Sequence, residues 1–204
     1  RLIFMKLTPG KLKGMNAVSD ARCVLAARPM AQRARLQKAL AKQKGAPVSD
    51  AMMEEFKVAV SKALTPHASA ILLDPEYGLP AARARAKNAG LLLAYEESGY
   101  DNTQPGRLPD LLPHLSVRRL QADGADCVKV LLYYTPEEDK AINDIKHAFI
   151  ERVGAECRAA DIPFFLEFVG YDPKGGDEKG LDFARRKPDV VRGSMAEFTK
   201  ELYG

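Results

Sequence analysis

Histidine and cysteine are scarce in this chain, three of each in 204 residues, and neither is spaced for a metal. His67, His114 and His147 form no His-x-x-x-His pair and no Cys-x-x-Cys occurs, so the sequence offers no donor set for a zinc-dependent mechanism. Cys23, Cys127 and Cys157 are odd in number and far apart. That excludes a disulfide framework and suits small core residues in a reducing compartment. No apolar stretch approaches the length of a membrane span, and the first residues lack the apolar segment of a signal peptide. The expectation is a soluble cytoplasmic protein with no membrane partner. The net charge of +4 is small and spread out, without an arginine-rich arm or basic-aromatic interleaving, which gives no case for nucleic acid. No Gly-x-Gly-x-x-Gly follows the first expected strand, and the Gly175-Gly176 loop lacks the P-loop lysine and hydroxyl. Nothing here calls for a dinucleotide or any other cofactor.

What is present is a regular alternation of strand and helix signals in a chain that is 46% hydrophobic, long enough for one domain over residues 1–204. The expected first strand is 23–27, followed by a basic helix over 32–44 whose Arg33, Arg35, Lys38, Lys42 and Lys44 suit a solvated face. Gly45-Ala46-Pro47 breaks that helix, and Ser49 is placed to cap the next, whose buried face reads as Met52, Phe56, Val60 and Ala63. A second strand is expected at 70–74, a short basic helix at 81–88, and a third strand at 90–95, before a turn-rich stretch at 102–106. Leu108, Leu111, Leu112 and Leu115 then read as a helix ending at Asp123-Gly124. Strands at 127–133 and 162–168 flank a helix with Ile142, Ile145, Phe149, Val153 and Cys157 on its face; a loop over 170–180 leads to a last helix faced by Val191, Met195, Phe198 and Leu202. This α/β alternation means a parallel sheet, either doubly wound or a (β/α)₈ barrel. Five units complete an open sheet but leave a barrel three short, so periodicity alone favours the open sheet.

Two of these strands each carry one ionisable residue in an otherwise apolar run: Lys129 in Cys127-Val128-Lys129-Val130-Leu131-Leu132-Tyr133, and Glu167 in Ile162-Pro163-Phe164-Phe165-Leu166-Glu167-Phe168. A charge in such a strand costs several kcal/mol unless paired, neutralised or used. Strand alternation puts Lys129, Leu131 and Tyr133 on one face, and Phe165 and Glu167 on one face of the next strand. An amine and a carboxylate on successive strands are the parts of amine-based carbonyl chemistry, with a proton-transfer glutamate and a lysine that is either nucleophilic or cationic; the same two residues also suit a buried ion pair. Working residues in parallel α/β folds gather at the carboxyl ends of strands. By that rule Gln32 and Arg33, Asp74 and Glu76, and Glu96 join the candidates, although Asp74-Pro75-Glu76 is equally good turn chemistry.

Four segments carry a resemblance: Ile71-Leu72-Leu73-Asp74-Pro75-Glu76-Tyr77-Gly78-Leu79-Pro80, Asn88-Ala89-Gly90-Leu91-Leu92-Leu93-Ala94-Tyr95-Glu96, Gly124-Ala125-Asp126-Cys127-Val128-Lys129-Val130-Leu131-Leu132-Tyr133-Tyr134 and Asp161-Ile162-Pro163-Phe164-Phe165-Leu166-Glu167. Together they resemble the class I tagatose 1,6-bisphosphate aldolases, a likeness running from about Val48 onward. The resemblance implies a (β/α)₈ TIM barrel of which this chain carries about the first five units, incomplete at its C-terminal end. It implies metal-free cleavage of a ketose bisphosphate to dihydroxyacetone phosphate and glyceraldehyde 3-phosphate through a lysine Schiff base. Glu167 then matches the acid/base carboxylate, and Lys129 the lysine whose charge assists the Schiff-base amine and binds substrate oxygens. Gln32 and Arg33 match two residues of an Asp-Gln-Arg-Gly motif that reads Ala31-Gln32-Arg33-Ala34 here, and together with Asp74 they are the expected substrate ligands. The Schiff-base lysine is expected on a sixth strand, beyond Gly204. A phosphorylated ketose is the expected partner, in a homodimer. A sulfosugar-phosphate aldolase on the same barrel and a non-catalytic sugar-phosphate-binding or regulatory protein are the alternatives.

Overall fold

The structure, a computed structural model, describes residues 7–97 and 104–204. Helix α1 (Pro9–Val18) precedes strand β1 (Ala27–Met30), after which come α2 (Ala34–Lys44), α3 (Asp50–Leu64), β2 (Ala70–Leu73), α4 (Leu79–Ala84) and β3 (Gly90–Ala94). Then follow α5 (Val117–Ala122), β4 (Cys127–Tyr133), α6 (Lys140–Ala159), β5 (Phe164–Val169) and α7 (Leu181–Phe198).

All five strands are parallel and each pairs with its successor, in the order β1-β2-β3-β4-β5. A doubly wound sheet would reverse its order at a switch point and carry helices on both faces. Here one face, with Ile71, Leu73, Leu91, Leu93, Val128, Val130 and Leu132, packs against the helix residues Ala81, Ala82, Val117, Leu120, Ile150, Val153 and Cys157. Each fully buried leucine on that face contributes about 1.5–3 kcal/mol. The chain therefore forms a half-barrel with its helices outside, and the open-sheet expectation from periodicity is corrected by strand order.

The opposite, concave face is small and apolar at its lower end, where Ala70, Leu92 and Cys127 meet Val18 of α1. Helix α1 lies across the amino ends of the strands and had no counterpart in the sequence reading. Its approach is close enough to require glycine at three positions, among them Gly10, where a Cβ would sit 2.1 Å from the Asp161 carbonyl oxygen. A Cβ at Gly14 would sit 2.4 Å from the Asp126 carbonyl oxygen, and one at Gly90 would sit 2.3 Å from that of Ala17.

Several expected elements shift. The first strand is Ala27–Met30 and not 23–27. The Asp20 carboxylate accepts from the backbone N–H groups of Arg22 and Val24, which winds 20–24 into a turn with Cys23 at φ 61°. Pro29 lies inside β1, opposite Leu72 of β2. The helix expected through the four leucines is confined to Val117–Ala122, capped by Ser116, whose Oγ accepts from Arg119 N–H. Pro109 and Pro113 deny the preceding segment its helical hydrogen bonds; instead Leu111 bridges Glu96 in antiparallel fashion. The buried line of α3 is Met53, Lys57 and Ser61, one residue along from the expected face, while Ala63 is exposed. The turn expected at 102–106 lies partly outside the described residues. No helix among the described residues is long and apolar enough to cross a membrane.

Candidate active site

The carboxyl ends of β1 to β5 bring a set of charged residues to the upper concave face. Register explains why two of them meet: Lys129 pairs with Phe165 and Leu131 with Glu167 across β4 and β5. The glutamate thus stands one inward-facing position above the lysine, within reach of a long amine. Lys129 Nζ lies 2.8 Å from Glu167 Oε2 and 3.0 Å from Glu96 Oε1. The two carboxylates differ sharply in surroundings. Glu96 is buried just after β3, whereas the Glu167 side chain remains 54% exposed to the concave face. One lysine charge is therefore shared between a carboxylate shielded from solvent and one open to it.

Glu96 is held by its main chain. Its carbonyl oxygen accepts from Arg33 Nη2 at 2.7 Å, and its neighbours Tyr95 and Glu97 are tied to Leu112 and Asp110 by backbone hydrogen bonds. Its Oε2 is buried with no hydrogen-bond partner among the described residues, as is Arg33 Nε. Arg33 also reaches Glu76, with Nη1 3.0 Å from Oε2. Arg33, expected at the substrate, is thus turned under the rim and commits both terminal nitrogens to the protein. Gln32 beside it is exposed.

Asp74, the third expected substrate ligand, is fully enclosed. One carboxylate oxygen is paired with Lys57 Nζ, and the other accepts from Tyr77 N–H at 2.8 Å. Lys57 is equally buried on α3 and donates further to the carbonyl oxygens of Met30 and Gln32, both at 2.9 Å. Burial pulls its pKa below the usual lysine value, against the attraction of Asp74. Sequence reading missed Lys57; the only signal was its position four residues from both Met53 and Ser61.

A second cluster crowns β4 and β5. Arg107 is sandwiched between Tyr133 and Tyr171, with its guanidinium carbon 4.9 Å and 4.8 Å from the two ring centroids, and pairs with Glu178 at 2.6 Å. The fully buried Lys146 of α6 donates to the Tyr171 hydroxyl at 2.8 Å, and that hydroxyl donates in turn to Glu138. Desolvation lowers the Lys146 pKa to about 8. These bonds join the loops after β3, β4 and β5 around the upper edge of the site. Among the described residues, no group of three or more histidine, cysteine or carboxylate side chains converges as metal ligands.

A model of the DeoC/LacD family aldolases matches residues 25–201. The chain is 50% identical over 200 residues to a tagatose 1,6-diphosphate aldolase of Listeria monocytogenes serotype 4a, and 52% identical over 199 residues to tagatose 1,6-diphosphate aldolase 2 of Enterococcus faecalis. Each match takes in 98% of this chain but only 59% and 60% of the relative, so the chain spans about three-fifths of their length. A solved structure from Corynebacterium glutamicum overlays 76% of this chain and 52% of its own, with TM-score 0.53 and 14% identity, a likeness of fold alone. With a family match covering most of the chain and half of all positions identical to tagatose 1,6-diphosphate aldolases, the chain belongs to the DeoC/LacD family of aldolases.

Proposed function

We propose that this chain is the larger part of a class I aldolase that cleaves tagatose 1,6-bisphosphate to dihydroxyacetone phosphate and glyceraldehyde 3-phosphate. The observation that carries the reading is the Lys129–Glu167 contact of 2.8 Å on the concave face, with Glu96 as a second, shielded counter-ion. The remaining two-fifths of the relatives' length corresponds to the strands that close a (β/α)₈ barrel, including a sixth strand that carries the Schiff-base lysine.

In this reading Glu167 moves the protons. It takes the proton from the C4 hydroxyl as the C3–C4 bond breaks and the aldehyde leaves, then returns one to C3 of the enamine. A single group can serve both steps because its carboxylate faces the cavity and is not sealed into the core. Lys129 stays cationic between its two carboxylates, binds substrate oxygens and disfavours protonation of the neighbouring nucleophilic amine. Gln32, exposed on the rim after β1, contributes to ketose binding.

The test is borohydride reduction of the complete protein with and without the ketose bisphosphate. Substrate-dependent inactivation, with the adduct on a lysine other than Lys129 and with turnover unaffected by EDTA, supports the reading. Loss of turnover in EDTA, or an adduct on Lys129 itself, refutes the assignment of class or of roles.

A further inference from the structure

A fully buried lysine on an outer helix needs a reason, and its partners supply one. An ammonium has three N–H donors. Lys57 spends all three on converging acceptors: the carbonyl oxygens of Met30 and Gln32 at 2.9 Å each, and Asp74. Met30 ends β1 and Gln32 lies in the rim loop after it, so the ammonium closes that loop from beneath. Asp74 carries the constraint to the next strand. Its second oxygen holds Tyr77 N–H, fixing the turn from which Glu76 reaches Arg33. Arg33 then clamps the Glu96 carbonyl at 2.7 Å, and the Glu96 carboxylate meets Lys129. An unbroken series of polar contacts leads from α3 to the Lys129–Glu167 pair without Lys57 or Asp74 touching the concave face.

We infer that Lys57 is a positioning residue of the aldolase site: with Asp74 it fixes the rim loops after β1 and β2, so that Gln32 faces the ketose and Arg33 holds Glu96 against Lys129. Asp74 is thereby a partner of Lys57 and not a substrate ligand. The inference rests on the aldolase reading above, and its test separates the two.

A lone Lys57→Met leaves Asp74 charged and buried, and the fold can fail for that reason alone. The informative protein is Lys57→Met with Asp74→Asn, which removes both charges while an amide oxygen still accepts from Tyr77 N–H. Thermal unfolding, hydrogen exchange of the 31–33 backbone amides, and steady-state turnover of tagatose 1,6-bisphosphate are measured in the complete protein, alone and combined with Arg33→Met. The expected result is a melting temperature close to wild type, faster exchange at 31–33, and kcat/KM lowered on the order of 10²-fold, the usual effect of misplacing a reacting group by about 1 Å. Arg33→Met should add little to that loss, because both changes release the same loop. Wild-type exchange at 31–33 with undiminished kcat/KM overturns the inference, as does a loss that multiplies with that of Arg33→Met. A wild-type protein without aldolase turnover, but with exchange at 31–33 still governed by Lys57, overturns the aldolase reading and leaves the loop device in place.

Discussion

Glu96 and Glu167 share one lysine yet should fail in opposite ways when neutralised. Glu96→Gln keeps the shape of the side chain and removes the shielded counter-ion of Lys129, in a pair whose two side chains are each only 8% exposed. Taking one partner from a buried pair typically costs about 3–5 kcal/mol. Because Glu167 still stands 2.8 Å from Lys129 Nζ, the lower end applies, about 3 kcal/mol. Glu167→Gln removes a carboxylate that is 54% exposed, and such pairs are worth about 0–1 kcal/mol. Its loss should appear in the chemistry instead: a turnover decrease on the order of 10²–10⁴-fold, equal to about 3–5 kcal/mol of barrier. Urea titration of the complete protein without substrate reads the first effect, as a fall in midpoint of roughly 1–3 M for Glu96→Gln at the usual denaturant sensitivity. Steady-state kinetics reads the second. Equal destabilisation by the two variants, with turnover intact in Glu167→Gln, would show Glu167 to be a structural ion-pair partner and remove the basis of the proposed mechanism.

Lys146 predicts a pH dependence. Its folded pKa of about 8 lies below the unfolded value of 10.5, so between these pH values only the unfolded state holds the proton, and this residue's contribution to stability rises with pH. The stability of wild type relative to Lys146→Met should therefore increase by about 2 kcal/mol from pH 7 to pH 9.5 in chemical unfolding, and a flat difference would refute the buried, depressed amine. The overall curve runs the other way at high pH, since burial holds Cys127, Cys157, Tyr95 and Tyr134 near 12 and the folded state keeps protons that the unfolded chain releases. Thiol labelling of the native protein should modify Cys23 quickly while sparing Cys127 and Cys157, with mass-mapped adducts as the check. Gly14→Ala should lift α1 from the Asp126 carbonyl and Pro163 and make Cys127, whose thiol sits 3.6 Å from the Gly14 carbonyl oxygen, reactive as well; continued protection of Cys127 would show that α1 does not shield it.

Lys129 and Glu167 were legible because strands covered on both faces are apolar nearly throughout, and a single charge stands out against that background. Glu96 was reachable from the rule that working residues follow strand ends. Lys57 and Lys146 were hidden for the opposite reason. A lysine among mixed helix residues looks solvated, and only the partners on other elements, Asp74 with two carbonyls and Tyr171 with Glu138, make its burial tolerable. Leucine spacing at 108–115 mimicked a helix face, and Pro109 and Pro113 were the contrary signal. Pro29 disguised β1, since proline cannot donate to a sheet ladder and argues against a strand. The direction of sheet closure lay in which strands pair, and periodicity within single strands carries no such information.

Helix α1 has a consequence for how the chain is made. Gly10 N–H donates to Asp161 at 2.8 Å, and Lys11 Nζ to the Gly204 carbonyl at 2.6 Å, partners separated in sequence by 151 and 193 residues. During translation the helix leaves the ribosome well ahead of the strands whose ends it covers, and its contacts with Asp126, Asp161 and Pro163 must wait until β4 and the start of β5 have been synthesised. At about 5–20 residues per second that interval lasts on the order of ten seconds or more. Throughout it the lower layer of the nascent half-barrel, where Val18 meets Ala70, Leu92 and finally Cys127, is incomplete. Helix α1 is thus made well ahead of the partners that fasten it, and a slow codon stretch upstream of β5 would lengthen the interval in which that layer is open to other chains.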